Sequence, residues 1–216
     1  MKNILISAFS AYGNYPANSS ELAIRNLNGK VLSGFSVFTE IFSASIPEDD
    51  RGSLLFERAL SINARGIISL GMGSEKIGLT VETCVINHIN NAKYCPSHQN
   101  GRPIDSRQPY GEKIHLDLNR WNLLAFRKNC AKTAPLITTM SADAGGFCCN
   151  HLMYQLHRAH TTKPEFRWTP WIYIHIPCSP ESITTTVEEF ERSGKMTMST
   201  TNVIKGLELL LLSATL

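Results

Sequence analysis

Three residues far apart in the chain, Glu82, Cys149 and His175, are of types that together could break an amide. Cys149 ends the run Ser141-Ala-Asp-Ala-Gly-Gly-Phe-Cys-Cys149, in which a strand gives way through Gly145 and Gly146 to a helix. A thiol at a helix N-terminus faces unpaired backbone N–H groups and the positive end of the dipole, and both favour thiolate. The same donors suit an oxyanion. His175 is the one residue of Trp171-Ile-Tyr-Ile-His-Ile-Pro177 that exchanges protons near neutral pH. Glu82 stands in Leu79-Thr-Val-Glu-Thr-Cys-Val-Ile-Asn87, where a desolvated carboxylate needs a partner. Together they supply the nucleophile, base and orienter of an activated-thiol mechanism. Singly, each has a plainer meaning: a small buried thiol, a histidine bonded to a carbonyl, a glutamate in a structural ion pair. Those meanings stay open at this level.

The elements that must position these groups alternate. Residues 3–9 form an apolar run suited to a strand covered on both faces. Asn18 can cap a following helix with Glu21 at its third position, Leu22, Ile24 and Leu27 inward and Gly29 as the stop. A strand is expected over 35–43. Helical spacing over 50–64 turns Leu54, Leu55, Ala59, Leu60 and Ile62 to one side, and Gly66 releases a strand over 67–70. Further strands are expected over 79–87, 136–141 and 171–176, with helices over 118–130 and 149–158. A C-terminal helix should face inward with Val203, Leu207, Leu210 and Leu211. Residues 159–170 read as a surface insertion, and 88–115 as a long functional or mobile loop. The rhythm predicts a single-domain, three-layer α/β/α sandwich around a mixed, mostly parallel sheet. Ligands of such sheets collect beyond strand ends.

With 216 residues and 43% hydrophobic content the chain can build its own core. Its 21 basic and 18 acidic residues give a net charge of +3 without any like-charged run, so no nucleic-acid or membrane partner is expected. Six irregularly spaced cysteines read as reduced thiols, and the short N-terminal apolar run falls below a signal-peptide core; a cytoplasmic location is the expectation. Cys84, His88, Cys95 and His98 are of zinc-binding types, but their spacing matches no common zinc motif. Phosphate recognition of the nucleoside-phosphorylase kind would need basic, Gly-rich donors that the chain does not present.

Taken in order, the motifs resemble the pyroglutamyl-peptidase I family, also called pyrrolidone carboxyl peptidases, over nearly the whole chain. Ile-Ser-Ala-Phe9-Ser-Ala-Tyr12-Gly13 with Asn18-Ser-Ser is similar to the family's Gly-Phe-Glu-Pro-Phe-Gly-Gly and Asn-Pro-Ser. Leu-Thr-Val-Glu82 with Val-Ile-Asn87 resembles Thr-Val-Glu-Arg-x-Ala-x-Asn. Ala144-Gly-Gly-Phe147-Cys-Cys149-Asn150 resembles Ala-Gly-x-Tyr-x-Cys-Asn, with the second cysteine at the nucleophile, and Ile174-His175-Ile-Pro177 resembles Ile-His-Val-Pro. The resemblance implies a cysteine-type omega- or exopeptidase that removes N-terminal pyroglutamate from peptides through a thioester. It implies catalysis by Glu82, Cys149 and His175, substrate contacts at Phe9, Tyr12, Asn18, Met72, Lys93 and Phe147, no metal or cofactor, and assembly as a homotetramer or dimer. Three departures stand out. Lys93-Tyr-Cys-Pro-Ser97 replaces Arg-Ile-Pro-Asp-Asn, and lysine lacks the bidentate fork. Gly71-Met72-Gly73-Ser74 replaces Gly-Gln-Ala-Gly-Gly, and Tyr12 adds a hydroxyl to a phenylalanine position. A pyroglutamyl-peptide-binding homologue with weakened turnover is the alternative these changes raise.

Overall fold

Ile4, Leu5, Ile6 and Ala8 of β1 (Lys2–Phe9) are all buried, whichever face they point to, because this strand has neighbours on both edges and helices over both faces. The computed structural model describes residues 1–47, 49–95, 97–133 and 136–216. The other strands are β2 (Val31–Leu32), β3 (Phe35–Phe42), β4 (Ala64–Met72), β5 (Leu79–Glu82), β6 (Cys84–Ile86), β7 (Lys113–His115), β8 (Thr138–Ser141) and β9 (Trp171–Ile176). Seven of the nine strands among the described residues form one sheet in the order β2-β3-β1-β4-β9-β5-β8. The β3-β1-β4-β9 centre is parallel, β2 runs antiparallel to β3, and β5 runs antiparallel to β9 while pairing in parallel with β8.

Side chains alternate across the sheet as the strand period requires. Ile4, Ile6, Ala8, Ile68, Leu70, Ile172, Ile174 and Ile176 meet α1 (Ser19–Ile24), α3 (Leu123–Lys132) and α6 (Thr200–Ser213) on one face. Leu5, Phe9, Ile67, Trp171 and Tyr173 meet α2 (Arg51–Ser61) and α4 (Cys148–Thr162) on the other. The result is the expected α/β/α sandwich. All four residues expected on the inner side of the C-terminal helix are buried.

Several boundaries differ from the expectations. Asn18 does cap α1, accepting from Ser20 N–H at 3.0 Å, but the helix ends at Ile24 and Leu27 is buried from the turn that follows. In α2, Leu54 and Leu60 point outward and Phe56 inward. The strand expected over 79–87 breaks at Thr83: its N–H donates to Ser141 O, its own carbonyl accepts from Leu116 N–H, and β6 leaves for a separate ribbon with β7. α3 starts later than expected, after a 3₁₀ turn at Asn119–Trp121, because Asn122 takes a left-handed conformation and caps it. The supposed insertion at 159–170 belongs to the core, since α4 runs on to Thr162 and Phe166 stacks on Phe56 with centroids 4.9 Å apart. A short α5 (Val187–Arg192) went unanticipated.

Candidate active site

α4 begins at Cys148 with Phe147 at its N-cap position, and no side chain caps its first turn. The approach is a tight turn: Gly145 takes φ +78, its N–H donates to Asp143 Oδ1, and Gly146 lies so close to the Asn90 backbone that any Cβ there would overlap it. The first turn, left without a side-chain cap, carries Cys149, and Asn150 holds it to the rest of the site by donating to Ile86 O and His88 O.

His175 projects from the end of β9 on the α4 side, and its Nδ1 lies 2.7 Å from Glu82 Oε1. The far edge of the ring is then left on the side of Cys149, whose charge acts on the imidazole. Both groups border Gly71 of β4: a Cβ there would sit 3.0 Å from Cys149 Sγ and 3.1 Å from His175 Cδ2. Glu82 is wholly buried, and Lys76 Nζ donates to the same Oε1 at 2.8 Å.

The charges follow from this geometry. A bond from the Cys148 thiol and the adjacent His175 imidazolium hold Cys149 well below the usual thiol value, against the effect of burial. Burial works against a charged His175, but Cys149 and Glu82 outweigh it and raise the imidazole to about 9. Burial also opposes ionised Glu82, and the bonds from His175 and Lys76 nevertheless keep it below 4.5. These shifts all favour a thiolate beside an imidazolium, with a carboxylate on the ring's other side.

A cavity of about 480 Å³ opens above the thiolate, walled by Phe9, Tyr12, Met72, Tyr94, Phe147 and His175 among others. Tyr12 packs against Tyr94 at 5.3 Å, Tyr15 at 5.4 Å and Phe147 at 6.3 Å. Asn18 reaches the cavity edge, but its amide is engaged with the chain, donating to Ser10 O and accepting from Ser20 N–H and Oγ. Met72 Sδ is likewise turned inward, where it accepts from Ser19 N–H. Lys93 does not line this cavity; its Nζ lies over the ring of Tyr94, 4.8 Å from the centroid. Pro96, within the departing segment 93–97, lies outside the described residues. Sequence reasoning overlooked Lys76, Tyr94 and Tyr173. Only Tyr173 carried a signal, its place two residues before His175 on the same strand face.

The four zinc-type residues do not gather. Cys84 is buried with its Sγ 3.2 Å from His115 Nδ1, and among the described residues no group of three or more His, Cys, Asp or Glu is arranged to hold a metal ion.

Fold and site together define a class, a cysteine peptidase on an α/β/α sandwich. Residues 2–215 match the model of the pyroglutamyl peptidase family, and the chain belongs to that family. A pyrrolidone-carboxylate peptidase of Photorhabdus laumondii is 29% identical over 189 residues, covering 84% of this chain and 81% of its own. One from Bacillus licheniformis is 28% identical over 215 residues, 96% and 90% of the two chains. The crystal structure of pyroglutamyl peptidase I from Bacillus amyloliquefaciens superposes with a TM-score of 0.79 at 22% identity, covering 100% of this chain and 95% of that one. A mutant pyrrolidone carboxyl peptidase from Pyrococcus furiosus gives 0.77 at 18%, over 99% and 98%. At these identities the two structures speak to the fold alone.

Proposed function

We propose that this chain removes pyroglutamate from the N-termini of peptides, with Cys149 as nucleophile, His175 as proton carrier and Glu82 as its orienter. The observation that carries the reading is the His175 Nδ1–Glu82 Oε1 contact of 2.7 Å, with Cys149 on the ring's far side at the floor of an aromatic cavity.

The thiolate attacks the pyroglutamyl carbonyl, and the oxygen takes up negative charge before the first-turn N–H groups of α4. Such a donor is worth roughly 3 kcal/mol. His175 gives its proton to the departing amine as the C–N bond breaks, leaving a thioester. The now neutral imidazole takes a proton from water, hydroxide adds to the thioester, and pyroglutamate leaves as the sulfur recovers its charge. The aromatic walls around Tyr12 suit a flat, uncharged lactam. A free N-terminal Glu or Gln would bring an ammonium among Phe9, Tyr12, Tyr94 and Phe147, which costs heavily when unpaired. Self-association into a dimer or tetramer, and a cytoplasmic setting that keeps the six free cysteines reduced, belong to the same reading.

The test is release of a fluorophore from a pyroglutamyl amide. Cys149→Ala should lower the rate by ~10⁴-fold or more, while Cys148→Ala retains most of it. The opposite ranking would place the nucleophile at Cys148. Ligand binding without turnover in the unaltered protein would mark a weakened homologue.

A further inference from the structure

Tyr173 lies at the centre of β9, two residues before His175, and none of it is exposed to solvent. Among the described residues its hydroxyl makes no hydrogen bond, to sulfur or to any other atom. A buried hydroxyl left alone is destabilising by roughly 1–3 kcal/mol, so the direction in which it points matters. It points over Gly71, where the nearest heavy atoms to a built Cβ are the Tyr173 hydroxyl, Cys149 Sγ and His175 Cδ2. A glycine inside a buried strand often marks a close approach of other atoms. Here the space left without a Cβ is shared by a phenol, a thiolate and an imidazole.

We propose that Tyr173 is a positioning residue for the nucleophile: its free hydroxyl, facing the same space over Gly71 as the Cys149 sulfur, turns to donate a hydrogen bond to that sulfur when it carries the charge. The inference rests on Cys149 being the attacking group. The tyrosine ring stands edge-on to His175, with centroids 5.2 Å apart and planes at 63°, so one side chain braces both members of the ion pair. Burial first, then the negative charge of Cys149, push the phenol well above its ordinary value, so it remains a donor wherever the enzyme works. A donor on the sulfur increases the thiolate population and moderates its nucleophilicity. It also favours the step in which the thioester breaks and the sulfur departs as an anion. No covalent bond to Tyr173 forms, and its proton stays on the phenol.

Tyr173→Phe keeps the ring and deletes the donor. Cys149 is the one cysteine of the six that is not buried, so native alkylation by iodoacetamide reports on its thiol. In Tyr173→Phe the midpoint of alkylation rate against pH should rise by about one unit, the scale of a bond to a charged acceptor. On the pyroglutamyl amide kcat should fall about tenfold with KM not raised. 3-Fluorotyrosine at position 173, a stronger donor of nearly the same size, should move the midpoint the other way, and it serves if the phenylalanine variant folds poorly. An unshifted midpoint in both variants overturns the proposal, whatever happens to the melting temperature. Cys149→Ala run in parallel separates the two readings. Loss of the low-titrating thiol there upholds the nucleophile; its persistence removes the nucleophile assignment and this proposal together.

Discussion

A single oxygen, Glu82 Oε1, accepts from both His175 Nδ1 and Lys76 Nζ. The carboxylate is wholly buried, and it remains charged because two cationic partners face it. Its folded value is lowered, so its stabilising effect is present above about 4.5 and fades as pH falls through that lowered value. Lys76→Met removes one partner. Glu82 then titrates at higher pH, and the acid limbs of activity and of stability should both move upward. At neutral pH the stability loss should be about 1–2 kcal/mol, discounted because the lysine keeps some contact with water. An acid limb that stays in place would show that His175 alone holds the carboxylate. Lys76 escaped sequence reasoning because it lies in the irregular turn Gly73-Ser-Glu-Lys76, where no period tells which way a side chain points. Lys93 was expected at the site by resemblance, yet it does not line the cavity and its Nζ lies over the ring of Tyr94. Chemical type was legible at single positions; side-chain direction was legible only inside regular elements.

Among the elements, α2 and α4 show how closely a site depends on packing behind it. Gly52 lies against the backbone of Gln155 and Leu156, and a Cβ at this position would overlap main-chain atoms. Asp50 caps α2 by accepting from Ser53 N–H at 3.1 Å, and accepts from Arg158 of α4 at 2.9 Å, so the helix bearing Cys149 is fixed along its length. Gly52→Ala should destabilise by about 1–3 kcal/mol, since backbone cannot give way as a side chain would. Leu54→Ala, at an outward position, should change stability by less than about 0.5 kcal/mol, and Leu55→Ala at the buried one by about 2–5. Equal costs at 54 and 55, read by denaturant unfolding, would contradict this orientation of the helix. Spacing alone had turned both leucines inward. The helix was legible from its apolar content, whereas the inner face was not, because Phe56 and Gly52 decide it and neither stands out in a run of mixed leucines. The central strands β1, β4 and β9 were recognisable as apolar runs, while the break at Thr83 depends on contacts with Ser141 and Leu116, far off in the chain.

Across the whole molecule, two buried histidines are shifted in opposite directions, His175 upward and His151 downward. His175 is raised to about 9. The stability that its proton lends is fully present below 6.5 and is lost as pH rises through about 9, where the imidazolium needed by the departing amine also disappears. His151, beneath α2 on the opposite side of the nucleophile's helix, is lowered to about 4 by burial and by Arg51 and Arg158, against a smaller pull from Asp50 and Asp49. In this case the unfolded chain binds the proton more readily. Stability should therefore fall as pH drops from about 6.5 to about 4, by up to about 3 kcal/mol at the full shift. Glu82 and Cys149 are both held below their ordinary values, and acid inactivation should accompany unfolding, while the alkaline limb near 9 follows His175. His151→Asn, a neutral side chain at the same place, should flatten the acid slope of unfolding free energy and leave the alkaline limb of kcat/KM where it was. Circular dichroism and activity measured on the same samples from pH 4 to 10 would check both halves. An acid slope unchanged in His151→Asn would assign the loss to the carboxylates, and a displaced alkaline limb would mean that the seam between α2 and α4 is coupled to the imidazole at the sheet.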